Sequence, residues 1–503
     1  MSSAVAHTEL KAAIATDGPT ASGAVIDDSA EAKGRRGPFR PGRLVPARAR
    51  MQVRSLSRLF RVIDGLAFAG ITAAVIAVAR PAPDAYAPLV LGALALLPAL
   101  YMLEAYTFHR RETLGRQALR VSAAFGAVAV VAALATLVFG RGRADVALAA
   151  GWAVALAVTT AALHLAWWRV VDHGRREGRL TPNVVVVGAT ANAEHFIRAA
   201  LATGDVNVLG VFDDRADRAP PQVLGVPVLG DTGALIGHRI MPFVDRVIIA
   251  VNSTAQARVD QLVERLDVLP NPVSLFVDLN RDAQRNASLA HFVDLSGAAT
   301  DARRAFVKRA QDLVIGSLGL MVAAPVMLLI ALAIKLDTPG PVFFRQRRHG
   351  FNNEAILVWK FRSMRHEAAD AKAARQVTAG DDRVTKVGKF IRKTSLDELP
   401  QLFNVLRGEM SMVGPRPHAI GMKSGDVESE SLVARYAHRH RMKPGVTGWA
   451  AINGSRGPVD TAEQVQERVA LDIEYIERQS FWLDLYIIAM TIPCLLGDRS
   501  AVR

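Results

Sequence analysis

Four apolar runs, about Val62–Ala79, Tyr86–Leu103, Val121–Phe139 and Val146–Trp168, succeed one another in the first third of the chain. Each approaches or exceeds the ~20 residues that cross a bilayer as a helix, so the pattern predicts a four-helix transmembrane bundle. From Asn183 the pattern changes. NVVVVG, VNVLGVFDD, DRVIIAV and VSLFVDL read as buried strands, and the periodic stretch to about Ala202 as a helix. This predicts a Rossmann-like α/β unit. A fifth apolar run, Leu313 to Ile334, is long enough to span but holds Pro325 near its middle. Proline removes a helical hydrogen bond and forces a kink. The two halves, 12 and 9 residues, are each about 14–18 Å long and too short to cross. Near the C-terminus FWLDLYIIAMTIPCLLG is apolar yet contains Asp484, which fits a helix lying in the interface or a core helix of the soluble part.

Charge orients these elements. Arg110, Arg111, Arg116 and Arg120 lie between the second and third runs, and Arg169, Arg175, Arg176 and Arg179 follow the fourth. The other two connections hold only Arg80, then Arg141 and Arg143. By the positive-inside rule both ends of the bundle are cytoplasmic. Asp64 and His164 are the only ionisable residues inside the spans and lie near their cytoplasmic ends, so an anchoring bundle is expected rather than an ion path. Arg303, Arg304, Lys308 and Arg309 precede the fifth run, and Lys335, Arg345, Arg347 and Arg348 follow it. Both of its ends therefore read as cytoplasmic, as in a broken helix that enters and leaves by one face. A fifth spanning helix is the alternative.

The chain has 503 residues, half of them hydrophobic, with mean hydropathy +0.19 and net charge +14. The expected class is membrane α plus α/β, in four parts. These are a disordered basic tail at 1–55, the bundle at 56–175, the Rossmann-like domain at 181–300 and a last domain at 301–503. The positive charge comes without any nucleic-acid signature, so no nucleic-acid partner is expected. An anionic lipid surface fits it better. A single cysteine, Cys494, excludes an intrachain disulfide and a multi-cysteine metal site. In the Rossmann-like unit Gly188 is followed by Thr190 and Ala193 where a dinucleotide fingerprint has glycines, and Thr would crowd a pyrophosphate. The unit reads as scaffold.

The densest chemistry lies between Asp381 and Pro417. Asp381 and Asp382 open the stretch, Arg383, Lys386, Lys389, Arg392 and Lys393 follow, Asp397 and Glu398 are adjacent, and Arg416 stands between two prolines. Ser395 and Glu398 have the spacing of a capping box, while Pro400 suits a first helical position. Adjacent acids can also divide two tasks, one attacking a phosphorus and the other orienting a metal or moving a proton.

The run TSLDELPQLFNVLRGEMSMVGPRP, with KFRSM at Lys360–Met364 and KPGVTGWAAINGSRG at Lys443–Gly457, resembles the bacterial sugar transferases that load a sugar phosphate onto a polyprenyl phosphate. The resemblance covers about the last 200 residues. It implies a monotopic phosphoglycosyl transferase domain with a re-entrant helix at about 309–335, in which Lys308, Arg309, Asp312 and Pro325 match the signature. Lys308 and Arg309 would then meet the lipid phosphate. It further implies Asp397 as nucleophile and metal ligand, Glu398 as its partner acid, Mg²⁺ as the ion, and UDP-sugar and undecaprenyl phosphate as substrates. Arg416 is the foremost phosphate ligand, and Lys360, Arg362, Arg383, Arg392 and Arg456 are the other candidates. Inner-membrane lipid is the surrounding partner, with the catalytic domain on the cytoplasmic face. Self-association and polysaccharide-assembly proteins are left open. Ala451 stands where the family pattern GWAQING has Gln, which touches sugar or uracil contacts and not the chemistry. The C-terminal blocks look closest to glucose-1-phosphate priming enzymes of exopolysaccharide synthesis, with UDP-galactose as the other donor considered. Two further classes were weighed: a transport protein with a regulatory domain, which would need a filter sequence of the TVGYG kind, and a non-catalytic scaffold.

Overall fold

The computed structural model describes residues 38, 44–51, 53–81, 86–108, 113–139, 143–215, 219–251, 256–276, 292–296, 302–365, 381–424, 427–428, 430, 432–433, 435–457, 459 and 461–497. Most of the expected basic tail lies outside the described residues. The chain forms two compact units, Arg50–Thr181 and Pro182–Arg503, the second including the segment before Arg50.

The first unit holds four helices, α1 (Val53–Ala79), α2 (Tyr86–Met102), α3 (Leu114–Phe139) and α4 (Arg143–Arg176). By length and composition α1, α3 and α4 are able to cross a membrane, while α2 is a shorter apolar helix. Phe60, Phe68, Leu96, Leu100 and Leu156 fill the interior, yet Leu66, Leu94, Leu137 and Val158 stand exposed. Helices apolar all round suit a lipid surrounding. Asp64 and His164 meet inside the unit, 3.3 Å apart. Tyr106 and Trp167 donate to Asp64 at 2.6 and 2.9 Å, and Gln117 bonds the His164 ring at 3.0 Å. Positions 100 residues apart in sequence thus come together, which the sequence pattern did not show.

In the second unit a seven-stranded sheet comes first: β1 (Asn183–Val187), β2 (Asn207–Phe212), β3 (Gln222–Val223), β4 (Val226–Gly230), β5 (Arg246–Ile249), β6 (Val273–Phe276) and β7 (Phe292–Ser296), in the order β3-β4-β2-β1-β5-β6-β7. The pairs from β4 to β6 are parallel, and both edge pairs are antiparallel. Strand alternation covers both faces. Val184 and Val186 pack with Phe196 and Ile197 of α5 (Ala191–Thr203), whereas Val185 and Val187 pack with Leu235 of α6 (Thr232–Ile236) and Leu262 of α7 (Gln256–Leu266). β4 escapes a reading of the sequence because Pro227 and Gly230 normally argue against a strand. Its neighbour β3 is a two-residue edge, where a missing N–H is tolerated.

The remaining elements build the last domain. α8 runs unbroken from Ala302 to Asp337 through Pro325, so the expected break into two short halves is not seen, and by length and composition α8 is, like α1, α3 and α4, able to cross a membrane. The hairpin β8 (Phe343–His349) and β9 (Ala355–Phe361) follows, then α9 (Lys386–Lys393), a 3₁₀ turn Leu396–Glu398, α10 (Gln401–Arg407) and β10 (Ser411–Val413). A small hairpin, β11 (Lys423–Ser424) and β12 (Val427–Glu428), leads to a 3₁₀ helix Tyr436–Arg441, β13 (Gly445–Thr447) and the helices α11 (Trp449–Ile452), α12 (Ala462–Arg478) and α13 (Phe481–Gly497). Both ends of α8 are fastened to this one body. At its start Lys308 pairs with Asp312 and Asp484 at 3.0 and 2.9 Å, and Arg309 donates to the carbonyls of Val405 and Leu406. Asp312 accepts from Ser411 Oγ and Met412 N. At its end Val387 N donates to Asp337 and Arg362 to the carbonyl of Thr338. The opposite face is bare: Met321, Val322, Leu328, Leu329, Leu332 and Leu336 are all exposed.

α13 divides the same way. Asp484 and Ile487 are buried, with Asp484 accepting from Tyr475 at 2.7 Å, while Phe481, Trp482, Tyr486 and Ile492 face outward. Its inner face belongs to the core and its outer face has the aromatic character of an interfacial helix.

Candidate active site

The β8–β9 register sets Arg348 opposite Ile356 and Phe344 opposite Lys360. On that shared face Ile356 and Val358 enter the core, and Arg348 and Lys360 emerge at the site. Directly after α9 the backbone of Ser395 takes φ +55°, a left-handed conformation rare outside glycine. Such strain persists where the surroundings enforce it. Here Arg456 donates to Ser395 Oγ at 2.7 Å. The reversal brings Glu398 to the cleft lining, with Asp397 next to it in the chain, while Leu396 and Leu399 pack toward α8. Of the two local alternatives, the capping box does not form, since Ser395 makes no side-chain cap, and Pro400 stands at the start of α10, as its N-cap rather than its first helical residue. Glu398 is instead drawn to cations.

Lys360 Nζ lies 2.8 Å from Glu398 Oε1, and Arg416 Nη2 donates to the same oxygen at 2.9 Å. Asp397 has only Lys360 at 3.8 Å, and no hydrogen bond to its carboxylate is found among the described residues. The two acids therefore titrate apart. Burial raises the proton affinity of Glu398, but Arg416 and Lys360 outweigh it and hold Glu398 well below the usual carboxylate range. For Asp397 burial wins, with Lys360, Arg392 and Arg416 opposing it and Glu398 adding to it, so its pKa is raised. One acid is clamped and the other left open.

A small open cleft adjoins Glu398, lined by Arg348, Lys360, Gln401 and Arg416 among others. Arg348 was not anticipated. Burial, then the neighbouring Arg416, lowers its pKa to about 10, so it remains a cation at neutral pH. The signal that finds it is the hairpin register, which places it on the Lys360 side.

The other expected residues fall in different places. Arg456 reaches the site through Ser395, and Arg392 is near enough to bear on Asp397. Arg383 folds back on Asp381 at 2.6 Å. Arg362 is buried and closes the end of α8, and Lys308, Arg309 and Asp312 knit its start, as described above. KFRSM is also wanted by packing: a Cβ at Gly388 would lie 2.0 Å from the carbonyl oxygen of Ser363. The MVGPRP and KPGVTG blocks touch similarly, since a Cβ on Gly445 would come within 2.1 Å of Gly414 N. Among the described residues no group of three acids, histidines or cysteines gathers as a metal cluster.

Comparison with known proteins decides the family. The profile described as bacterial sugar transferase matches residues 303–498. The UDP-glucose:undecaprenyl-phosphate glucose-1-phosphate transferase of Xanthomonas campestris pv. campestris is 38% identical over 343 residues, which is 66% of this chain and 70% of that protein. The chain belongs to the bacterial sugar transferase family. With that membership it is an enzyme, a phosphotransferase. The undecaprenyl-phosphate glucose phosphotransferase of Komagataeibacter xylinus is 53% identical over 194 residues, 39% of this chain and 36% of its own length. A UDP-N-acetylgalactosamine-undecaprenyl-phosphate N-acetylgalactosaminephosphotransferase of Aeromonas hydrophila is 39% identical over 197 residues, 39% of this chain and 45% of its own length. A second profile, described as a CoA-binding domain, matches residues 101–276.

Proposed function

We propose that the chain transfers hexose-1-phosphate, with glucose as the sugar, from a UDP-sugar to undecaprenyl phosphate and releases UMP. The observation that carries this is the divided pair: Asp397 raised, its carboxylate without a hydrogen bond among the described residues, beside a Glu398 held ionised by Lys360 and Arg416. An ionised Asp397 oxygen attacks the sugar-bearing phosphorus, and the bond from that phosphorus to the UMP oxygen breaks. UMP departs, leaving a phosphosugar ester on Asp397. The lipid phosphate oxygen then attacks the same phosphorus, the bond to Asp397 breaks, and the carboxylate is restored. Lys360, Arg416 and Arg348 face the non-bridging oxygens, whose charge must be met for phosphoryl transfer. Arg392 and Arg456 stand behind them. The product would prime exopolysaccharide or capsule synthesis.

A magnesium ion suits this donor set, because Mg²⁺ takes one or two carboxylates and completes its shell with phosphates and water. Asp397 would hold it together with the donor's phosphates, and the ion would supply charge neutralisation as UMP leaves.

The membrane reading has its own support. Arg309 and Asp337 are 28 residues apart, a span of about 42 Å along a straight helix, yet both bind the same domain. Contact along one face and bare leucines on the other favour a helix that dips into the inner membrane without crossing it, with the site on the cytoplasmic side. For the sheet of β1–β7 we favour a Rossmann-like scaffold. Asp213 already accepts the Ala189 N–H at 2.7 Å in the first β–α turn, where a nucleotide phosphate would seek a donor.

Two outcomes follow. Membranes holding the chain, given labelled UDP-glucose, Mg²⁺ and undecaprenyl phosphate, should form a lipid-linked phosphosugar and UMP. Faster transfer from UDP-galactose or UDP-N-acetylgalactosamine would replace the sugar assignment, and no transfer from any of them would end the reading. Attack requires the ionised acid, so kcat/KM should rise with pH through the raised pKa of Asp397. Its acid limb then lies above the ordinary carboxylate range of about 4. A limb at or below that range contradicts the assignment.

A further inference from the structure

The turn that presents Arg416 cannot hold itself. Pro415 and Pro417 flank the residue, and neither carries a backbone N–H. Two guanidiniums from elsewhere, one half-buried and one fully buried, engage its carbonyls. Arg348 donates to the carbonyl of Pro417, and Arg439 Nη2 donates to the carbonyl of Arg416 at 2.7 Å. Arg439 is 1% exposed and comes from the 3₁₀ helix Tyr436–Arg441. The same Nη2 lies 2.6 Å from Asp472 Oδ2, and Nη1 reaches the ring of His418. That ring is kept neutral by burial and by Arg439 itself, so it accepts the bond.

Asp472, also 1% exposed, supplies the counter-charge without which a buried guanidinium would be costly. It belongs to α12, one turn beyond Arg468. Arg468 donates to Ser455 Oγ at 3.0 Å and to the carbonyl of Gly457 at 2.6 Å, either side of Arg456. One buried face of α12 therefore braces both Arg416 and Arg456. A pair needed only for folding could end at the Arg439–Asp472 bridge. This one continues to the peptide of the residue that grips Glu398.

We infer that Arg439 and Asp472 are positioning residues for Arg416, fixing through its backbone carbonyl where its guanidinium meets Glu398 and the donor diphosphate. The inference rests on the transfer reading given above. Displacement of a catalytic contact by 1 Å costs roughly 10²-fold in rate, so the bracing is worth testing at that scale.

The test uses the full chain in membranes. Arg439→Lys keeps the charge but not the planar fork that serves three acceptors. Asp472→Asn keeps a neutral acceptor. Each should lower kcat/KM for the UDP-sugar by about 30- to 100-fold with membrane levels of the chain maintained. The decisive arm repeats both in an Arg416→Ala background, where each should cost under about twofold, because residues acting as a unit are not additive. Losses that multiply in that background overturn the inference, as does full activity of the single variants. Loss of both single variants from the membrane, while Arg416→Ala accumulates, also overturns it and makes the pair a folding requirement. A wild-type chain that transfers nothing removes the parent reading, and this inference falls with it. An active wild type with multiplying losses sinks the positioning role alone.

Discussion

Asp397→Asn is expected to lower lipid-linked product formation by about 10⁴-fold or more, the scale seen when a covalent nucleophile is removed. The change is nearly isosteric. It costs the fold little, because the Asp397 carboxylate has a single distant cation, Lys360 at 3.8 Å, and no hydrogen bond among the described residues. The variant should therefore reach the membrane at the wild-type level. An amide is a poor nucleophile at phosphorus, and the adjacent carboxylate, Glu398, is held by Lys360 and Arg416. Initial rates of radiolabelled lipid product, set against the amount of chain, measure this. Retained turnover would remove Asp397 from the mechanism.

Glu398→Gln should have the second largest effect, and of a different kind. Glu398 accepts from Lys360 at 2.8 Å and Arg416 at 2.9 Å in a half-buried setting, with Arg348 close by. Removing its charge leaves those cations facing one another with only Asp397 to answer them. Removing one partner of this half-buried cluster leaves its cations uncompensated, so the thermal transition should fall along with the rate. The sign of the pH effect separates this from general damage. Glu398 raises the pKa of Asp397; once it is neutral, the carboxyl of Asp397 ionises more readily. The acid limb of the pH–rate profile should move to lower pH while the maximum rate drops by roughly 10²-fold or more. A limb that stays put, or moves up, contradicts the coupling of the two acids.

What the sequence disclosed follows from what is local. Long apolar runs declare helices wherever packing partners lie, so four apolar helices precede the sheet as their hydropathy indicates. NVVVV and RVII are buried on both faces and read as strands unaided. Asp397, Glu398 and Arg416 stand close enough in one motif to be noticed together. The missed features depend on register or on distant contact. Arg348 sits in a run of basic residues that resembles a solvated face, and only its pairing opposite Ile356 turns it inward. Arg439 sits among His438, His440 and Arg441, where its burial against Asp472 leaves no local trace. Ser395 has the chemistry of a helix cap. Its left-handed backbone is imposed by packing that holds α9 against Ser363 and Leu396 against α8. Lys308, Arg309 and Arg362 were legible as cations near α8, but not as the residues that tie its ends to α10, α13 and Thr338.

The account turns on a phosphosugar passing through one aspartate, and this can be observed without any lipid acceptor. The purified chain should be incubated with Mg²⁺ and UDP-glucose labelled in the phosphate next to the sugar, then quenched and digested. Label appearing on the peptide containing Asp397 as UMP accumulates in equal amount, and absent from Asp397→Asn, is the predicted result. UMP release only when undecaprenyl phosphate is present, with no label on the chain at any time, would contradict it.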